Sequence, residues 1–303
     1  MQDQLTRLLT ILLDVERCTA PACSPQCPCR KPFRDRLQHF IEQEQPIRMV
    51  LPAFPAKSPN RKKVLGELPD MAEIVALGFL EKLCRRMEAC YSPGVELVLC
   101  SDGHVFADLV GLDDQQVDQY VAELQAILDD LNAHHVRLHG LVESYGPVPP
   151  NQLRGRLVAD HGPDLAQLRC SVQNSDHLKS KFNGLCRFLF EDLVDLQSEL
   201  SRNRNRKQAK AMAYLALQRS QAWSNRIAHD FPNALRLSIH PQRHGSSKLG
   251  IHLMPTRDAW LTPWHGVAVL AGGRFRLMKR QQAQSLGAEL VWRRGRPSHF
   301  VAA

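Results

Sequence analysis

Residues 47–91 read IRMVLPAFPAKSPNRKKVLGELPDMAEIVALGFLEKLCRRMEACY and predict one strand, one loop and one helix. The first eight residues are an apolar run, which indicates a buried strand. A helix follows from Pro69 and Asp70, with Ile74, Leu77 and Leu80 at helical spacing. Because a buried strand followed by an amphipathic helix is the unit of parallel α/β sheets, this stretch predicts that class of fold.

The same pattern continues along the chain. VELVLC (95–100) predicts a second buried strand, residues 113–133 a second long helix, and HVRLHGLV (135–142) a third strand. HVFADLV (104–110) is predicted to continue the second strand or to form a hairpin with it. The fold class is therefore α/β, with a mostly parallel Rossmann-like sheet flanked by helices. Ligands of such sheets bind at the carboxyl ends of the strands.

The rest of the chain departs from this alternation. Residues 146–233 are predicted to be mainly helical, with a break at the basic run SRNRNRK (201–207), and residues 234–253 return to strand, loop and strand. The C-terminal part is predicted to contain mixed short strands, and AGGRF (271–275) signals a hairpin. We expect an N-terminal helix with a Cys/Pro-rich extension over residues 1–30 and a single domain over residues 31–303.

Composition limits the possible partners and locations. The 303 residues carry a formal net charge of +8, which favours nucleic acid, anionic lipid or an anionic small substrate. Aromatic residues make up only 6% of the chain, so stacking on single-stranded nucleic acid has little support. No apolar run is long enough to span a membrane, and the first residues lack the features of a signal peptide. The nine cysteines, an odd number, fit reduced thiols. We expect a cytoplasmic protein without membrane contact.

Polar residues follow the first two predicted strands at what would be one edge of the sheet. The loop after the first strand combines cations, a hydroxyl and an amide that suit a phosphate group, although a solvated loop is the alternative. Asp102 follows the second strand, where it is either a general base or part of an Asp-Gly turn, and Asp108 is expected to be structural. The candidate residues here are Lys57, Ser58, Asn60, Lys63, Ser101 and Asp102.

Two further groups of candidates lie near the C-terminus. The loop RLSIHPQRHGSSKLG offers backbone N–H groups, hydroxyls and cations that suit phosphate, and its His240 can shuttle protons. The run TPWHGV offers an aromatic wall in Trp264 and a polar partner in His265, unless Trp264 only fills the core. The candidates in the loop are Arg236, His240, Ser246, Ser247 and Lys248.

Metal and cofactor patterns are weak or absent. Four cysteines lie close together in sequence, at positions 18, 23, 27 and 29, and four thiols can bind zinc. Their spacing lacks paired C-x2-C knuckles, so we predict no metal site there, and the question of zinc stays open. No histidine is followed two places later by a carboxylate, as an iron facial triad usually requires, and the G-x-S-x-G and G-x-G-x-x-G patterns are missing.

Four segments together resemble a known family. RMVLPAFPAKSPNRKKVLGELPDMAEIVAL, SDGHVFADLVGLDD, LRLSIHPQRHGSSKLGIHL and PWHGV occur in this order between Arg48 and Val267. They are similar to the landmarks of the pyoverdine/dityrosine biosynthesis family, whose bacterial members include the PvcA-type isonitrile (isocyanide) synthases. The cysteine-rich segment before Arg30 is not part of that pattern.

The resemblance implies a specific reaction in secondary metabolism. Such enzymes join an aromatic L-amino acid, here tyrosine in preference to tryptophan, to ribulose 5-phosphate, whose C2 becomes the isonitrile carbon of a paerucumarin-type product. No metal or redox cofactor is implied, and the product passes to a separate iron/2-oxoglutarate oxygenase. We expect Asp102, His240 and Lys57 to be the catalytic residues. Asp102 and His240 would act as base and acid, and Lys57 and Lys248 would bind phosphate or oxyanions. Arg48 or Arg236 is expected to bind the amino-acid carboxylate.

Two alternatives remain open from the sequence. The net charge and the SRNRNRK run also fit a basic nucleic-acid-binding protein, although the cations accompany turns at strand ends and form no single stripe. An unrelated aldolase or isomerase of sugar phosphates is the second alternative. Incubation with ribulose 5-phosphate, with and without amino acid, separates these possibilities.

Overall fold

The computed structural model describes residues 2–21, 23–197, 199–256 and 261–302. Its helices are α1 (Gln2–Leu13), α2 (Lys31–Glu42), α3 (Met71–Glu88), α4 (Gly103–Val110), α5 (Asp114–Asp130), α6 (Leu141–Tyr145), α7 (Pro150–His161), α8 (Leu165–Asn174), α9 (Asp176–Leu196), α10 (Arg202–Asp230) and α11 (Arg280–Ser285). Its strands are β1 (Ile47–Pro52), β2 (Val95–Cys100), β3 (Val136–His139), β4 (Leu235–Ser238), β5 (Leu249–Gly250), β6 (Val267–Ala271), β7 (Arg274–Met278), β8 (Glu289–Arg293) and β9 (Arg296–Val301).

The central sheet has the order β3-β2-β1-β4-β5, and all its pairings are parallel. Alternate residues of each strand face opposite layers of helices. Met49 and Leu97 pack into a core with α1, α2, α3 and α5, whereas Val50 and Val98 pack against α7 and α10. The predicted parallel α/β fold with helices on both faces is confirmed.

The prediction for residues 104–110 was wrong, because they form α4 and not a strand or hairpin. Buried residues alternate along α4 with half-buried or exposed ones, as in a strand: Val105, Ala107 and Leu109 are buried. The alternation arises because α4 is covered on several sides. Val105 packs with the α7–α10 layer and Ala107 with the opposite core. A helix enclosed in this way loses the single apolar stripe that sequence patterns detect.

The region from α7 to α10 is helical, as predicted, and packs largely on itself. Residues of α8, α9 and α10 form a separate apolar cluster that includes Leu168, Leu189 and Ala213. The predicted break at SRNRNRK was misplaced. Ser201 caps α10 by accepting a hydrogen bond from the Arg204 backbone N–H at 3.3 Å, so the basic run forms the first turns of that helix. Arg202, Arg204 and Arg206 are exposed there.

The C-terminal part forms a second sheet of order β7-β6-β9-β8, with mixed parallel and antiparallel pairings. Its predicted hairpin is confirmed. Gly272 and Gly273 connect β6 to β7 with φ values of 55° and 73°, a conformation that glycine adopts without strain.

The N-terminal residues pack into the main body of the protein. Leu8, Leu9 and Leu12 of α1 are almost fully buried in the same core as β1 and α3. Residues 15–19 then run beside β5, where the Arg17 backbone N–H donates to the Gly250 carbonyl at 2.7 Å. None of the described helices has the length and apolar character that a bilayer span requires.

Candidate active site

The central sheet has a topological switch point at β1. The chain passes from β1 to β2 and β3 on one side of the sheet, whereas β4 lies on the other side of β1. In open α/β sheets, the crevice at such a point, outside the carboxyl ends of the strands, is where ligands bind. The loop after β1, the loop between β4 and β5, and Asp102 after β2 all start at this edge.

The basic loop after β1 binds carboxylates of the protein itself. Each of its four cations lies within ion-pair distance of an acidic residue. Asn60 adds hydrogen bonds to Asp192 at 2.9 Å and Asp195 at 2.8 Å, both on α9. The pairs are Lys57 with Asp70 and Glu73, Arg61 with Glu67, Lys62 with Asp195, and Lys63 with Asp192. Every cation of this loop therefore already has a carboxylate partner, which argues against the predicted binding of phosphate by the loop.

Lys57 is enclosed in a buried ionic cluster. Its Nζ lies 2.9 Å from Asp70 Oδ2 and 2.8 Å from Glu73 Oε2, and donates to the Pro263 carbonyl at 3.0 Å. Its side chain is 0% exposed. Burial alone would lower the pKa of Lys57, but the two carboxylates raise it. Two carboxyl groups of the protein already pair with Lys57, so this placement argues against the predicted catalytic and phosphate-binding role.

The two predicted serines at this edge hold the loops in place. Ser58 Oγ accepts a hydrogen bond from the Asn60 backbone N–H at 3.2 Å, and Ser101 Oγ donates to the Phe54 carbonyl at 3.0 Å. The loop after β1 and the start of α4 meet so closely that a Cβ on Gly103 would lie 2.1 Å from the Pro55 carbonyl oxygen. A glycine is therefore required next to Asp102.

Asp102 occupies the N-cap position of α4 without acting as a cap. An aspartate at this position normally accepts a backbone hydrogen bond from the first helical turn. Asp102 makes no such side-chain bond, and its Oδ1 is buried without a partner among the described residues. Burial raises the pKa of Asp102 to about 7. A buried carboxyl group that is half protonated near neutral pH is suited to general acid–base chemistry.

Arg236 and Lys248 form the strongest candidate anion site. Arg236 Nη2 and Lys248 Nζ both donate to Ser224 Oγ on α10, each at 3.0 Å. Within the described part of the chain, neither cation has a carboxylate within ion-pair distance. Burial, together with the charges of Arg236 and Lys181, lowers the pKa of Lys248 to about 8. Two half-buried cations without an anion favour the binding of a phosphate or carboxylate between them.

Asp102 and Arg236 both act on the pKa of the buried Cys100 thiol at the end of β2. Burial raises this pKa most, Arg236 and Arg137 lower it, and Asp102 and Asp230 raise it. The charges of the candidate base and of the candidate anion site therefore both reach this side chain. Ser224 was missed by the sequence analysis, because a single serine in a long helix carries no local signal.

The other predicted residues of the β4–β5 loop differ in their surroundings. His240 is exposed, and its ring makes no hydrogen bond to the described residues. Ser246 Oγ donates to Gln242 Oε1 at 3.1 Å and accepts from the Lys248 backbone N–H at 3.2 Å, so it shapes the turn. Ser247 is exposed. In this loop, His240 and Lys248 are therefore the residues that could contact a ligand, whereas Ser246 stabilises the turn.

Trp264 and His265 have separate functions in the structure. Trp264 is buried, and its ring packs against Phe54 with centroids 5.1 Å apart, which supports core filling. His265 Nδ1 lies 3.0 Å from Thr262 Oγ1. Burial, together with the charges of Lys63, Lys57 and His240, lowers the pKa of His265 to about 3. His265 is therefore a neutral imidazole beside His240.

Arg48 lies outside the site. It is the second residue of β1, at the amino end, and its half-exposed side chain pairs with Glu96 at 2.6 Å. The predicted role in binding a substrate carboxylate was wrong, because that end of the sheet is opposite the carboxyl edge. Asp108 has the structural role expected of it, since Arg219 binds both of its carboxylate oxygens at 2.6 and 3.0 Å.

Comparison with known proteins identifies the family. The model of the family "Pyoverdine/dityrosine biosynthesis protein" matches residues 37–291. The chain belongs to this family. The match includes the whole segment from Arg48 to Val267 in which the sequence resembled it, and that prediction is confirmed.

Individual relatives extend the match to nearly the whole chain. An L-tryptophan isonitrile synthase of Fischerella ambigua is 43% identical over 291 residues, which cover 96% of this chain and 87% of the relative. An L-tyrosine isonitrile synthase of Pseudomonas aeruginosa is 44% identical over 269 residues, covering 88% and 82%. The crystal structure of the PvcA protein of Pseudomonas aeruginosa superposes with a TM-score of 0.93 at 40% identity, covering 99% of this chain and 100% of that chain.

Proposed function

We propose that this protein is an isonitrile synthase that converts the amine of L-tyrosine or L-tryptophan to an isonitrile, with ribulose 5-phosphate as the source of the carbon. Relatives at 43% and 44% identity over most of the chain are named as an L-tryptophan and an L-tyrosine isonitrile synthase. The observation that carries the proposal within this chain is the pair Arg236 and Lys248, two cations at the switch point with no carboxylate partner in the described structure. Both proposed substrates bring an anionic group.

The proposed chemistry begins with condensation of the amine with the C2 ketone of the sugar and loss of water. Proton transfers, loss of phosphate and carbon–carbon cleavages then leave C2 on the nitrogen. These steps require a group that accepts and returns protons near neutral pH, and the raised pKa of Asp102, about 7, suits that role. The exposed imidazole of His240 is the second proton carrier. The substrate supplies the amine, so no lysine Schiff base is needed.

The anionic groups are assigned to the cations of the switch point. Arg236 presents a planar guanidinium that matches a carboxylate in two parallel hydrogen bonds, and Lys248 presents a point charge. We assign the amino-acid carboxylate to Arg236 and the sugar phosphate or its oxyanions to Lys248. Lys57 is assigned a structural role in its buried ionic cluster with Asp70 and Glu73.

Lys248→Ala is expected to lower kcat/KM for the sugar phosphate by roughly 10- to 150-fold, because one charge-assisted contact is worth about 1.5–3 kcal/mol. Steady-state kinetics with ribulose 5-phosphate as the varied substrate measures the effect. In the wild type, kcat/KM should fall as the pH rises above about 8, because the free Lys248 loses its proton there. Lys248→Arg should abolish that alkaline fall, since a guanidinium stays charged.

Lys82→Met is the matched control, because Lys82 is exposed on α3 and its replacement removes the same unit of net charge. It should leave kcat/KM unchanged within about twofold at moderate salt. Equal losses in both variants would show that net charge, and no specific contact, attracts the sugar phosphate.

Equal concentrations of L-tyrosine, L-tryptophan and L-phenylalanine in one reaction with ribulose 5-phosphate test the amino-acid substrate. We expect the tyrosine isonitrile to dominate in the mass spectrum. A pocket that hydrogen-bonds the phenol should reject phenylalanine strongly, because a buried polar group would lose its partner. Dominant tryptophan isonitrile would refute the tyrosine preference. Conversion of the sugar phosphate without amino acid would favour the aldolase or isomerase alternative.

The remaining parts of the proposal concern the context of the enzyme. The proposed product, an aromatic amino acid with an isonitrile on its α-carbon, would serve as substrate for a separate iron/2-oxoglutarate oxygenase. All nine cysteines are free, which supports a reducing compartment such as the cytoplasm.

A further inference from the structure

Three thiols converge in the segment between α1 and α2, which the proposed reaction does not use. Cys29 Sγ lies 3.2 Å from Cys23 Sγ and 3.1 Å from Cys27 Sγ. One ligand atom from each of these cysteines lies within 4.8 Å of the others, and all three residues are half-buried. Cys18, the fourth cysteine of the sequence cluster, is not part of this group.

The backbone holds the three thiols together. The Cys27 backbone N–H donates to the Ser24 carbonyl at 3.1 Å, and the Arg30 N–H donates to the Cys27 carbonyl at 2.9 Å, which closes two successive turns. Arg34 donates to the Pro25 carbonyl at 3.2 Å and to the Cys27 carbonyl at 3.4 Å. These hydrogen bonds shape the turns that carry Cys27 and Cys29.

We propose that Cys23, Cys27 and Cys29 form a binding site for a thiophilic d10 cation, Zn²⁺ or Cu⁺. Thiolates are the preferred ligands of both ions, and three of them leave a position for a solvent or exogenous ligand. A disulfide would use only two of the three sulfurs, so it explains the convergence of all three less well. Binding of the ion replaces three S–H bonds by three metal–thiolate bonds and releases three protons.

The surroundings of the cluster suit such an ion. A trithiolate around Zn²⁺ or Cu⁺ carries net negative charge. The Arg30 side chain is only 2% exposed, and its Nε is buried without a partner among the described residues. Arg30 therefore has a donor left to balance that charge.

The cluster is connected to the loop that carries the candidate anion site. The Arg30 guanidinium donates to both carboxylate oxygens of Glu16. The backbone of Glu16 in turn pairs with that of Ile251 in an isolated antiparallel β-bridge. The Thr19 backbone N–H donates to the Gln242 carbonyl at 3.0 Å. A bound ion would thus stabilise the ribbon of residues 15–19 that supports the β4–β5 loop, which makes the proposed site structural.

Metal content of the reduced, full-length protein tests the proposal. Chelator-treated protein is titrated with Zn²⁺ against a chromophoric zinc competitor, and with Cu⁺ against a Cu⁺ chelator. The number of metal ions bound per chain is measured by inductively coupled plasma mass spectrometry. We expect one bound ion per chain in at least one of the two titrations. When Co²⁺ replaces Zn²⁺, the absorption spectrum should show thiolate-to-metal charge-transfer bands. The bound ion should also raise the melting temperature.

Single cysteine-to-serine variants distinguish this site from adventitious binding. Cys23→Ser, Cys27→Ser and Cys29→Ser should each lose more affinity than the roughly 10- to 100-fold that removal of an outer-shell partner costs. Cys170→Ser is the control, because Cys170 is exposed on α8, and it should bind as the wild type does. Substoichiometric binding of both ions would overturn the proposal. So would affinity that is unchanged in all three variants, or a disulfide among these cysteines that persists in reductant.

Discussion

Asp102→Asn should lower kcat by about 10²- to 10⁴-fold, which corresponds to about 2.7–5.5 kcal/mol of transition-state stabilisation. The substitution keeps the shape of the side chain but removes its charge and its ability to accept a proton. No hydrogen bond of the helix terminus is lost, because the Asp102 side chain does not cap α4. Single-turnover kinetics measures the effect on the chemical steps, separately from product release.

The pH profile of the wild type gives an independent test of the same role. Burial raises the pKa of Asp102 to about 7, so a base at this position is inactivated by protonation below that pH. We therefore expect kcat/KM to fall as the pH decreases through about 7. Asp108→Asn is the control, since Asp108 is bound to Arg219 on the surface and should retain nearly full turnover. Wild-type turnover in Asp102→Asn would remove Asp102 from the chemistry.

Lys57→Met should destabilise the protein by about 3–5 kcal/mol, the cost of removing one member of a buried ion pair and leaving a charge uncompensated. Here two carboxylates, Asp70 and Glu73, would lose their cation at a site that is closed to solvent. Denaturant unfolding monitored by circular dichroism measures the free energy of unfolding. The melting temperature should decrease accordingly.

Lys62→Met is the matched control for the same loop. Lys62 pairs with Asp195 on α9, but its side chain is 57% exposed, so the loss should remain within about 1 kcal/mol. If Lys57→Met unfolds like the wild type while its KM for ribulose 5-phosphate rises tenfold or more, Lys57 binds phosphate as the sequence first indicated, and the structural role assigned here is wrong.

The strand–loop–helix unit at residues 47–91 was visible in the sequence because its signals are local. An apolar run forms β1, and Asp70 with Glu73 forms a capping box at the start of α3. The hairpin at Gly272 and Gly273 was predictable for the same reason. By contrast, the apolar pattern of α4 resembles that of a strand, because the helix is covered on several sides and alternate residues of it are buried.

The site was harder to predict, because charges in a loop do not reveal their partners. The acidic partners of Asn60, Lys62 and Lys63 lie on α9, about 130 residues further along the chain, so the loop looked like an anion site when read alone. Ser224 accepts hydrogen bonds from both Arg236 and Lys248. It lies in the preceding helix, so no local sequence pattern connects it to these cations. Arg48 was misassigned, because a strand sequence does not reveal how far a residue lies from the carboxyl edge.

Isotope tracing tests the central claim most directly. The protein is incubated with ribulose 5-phosphate labelled with ¹³C at C2, together with L-tyrosine or L-tryptophan, and the products are analysed by mass spectrometry and ¹³C NMR. We predict an isonitrile on the α-carbon of the amino acid, with the label in the isonitrile carbon. An unlabelled isonitrile would contradict the proposed carbon source, and the absence of any isonitrile with either amino acid would contradict the proposed function.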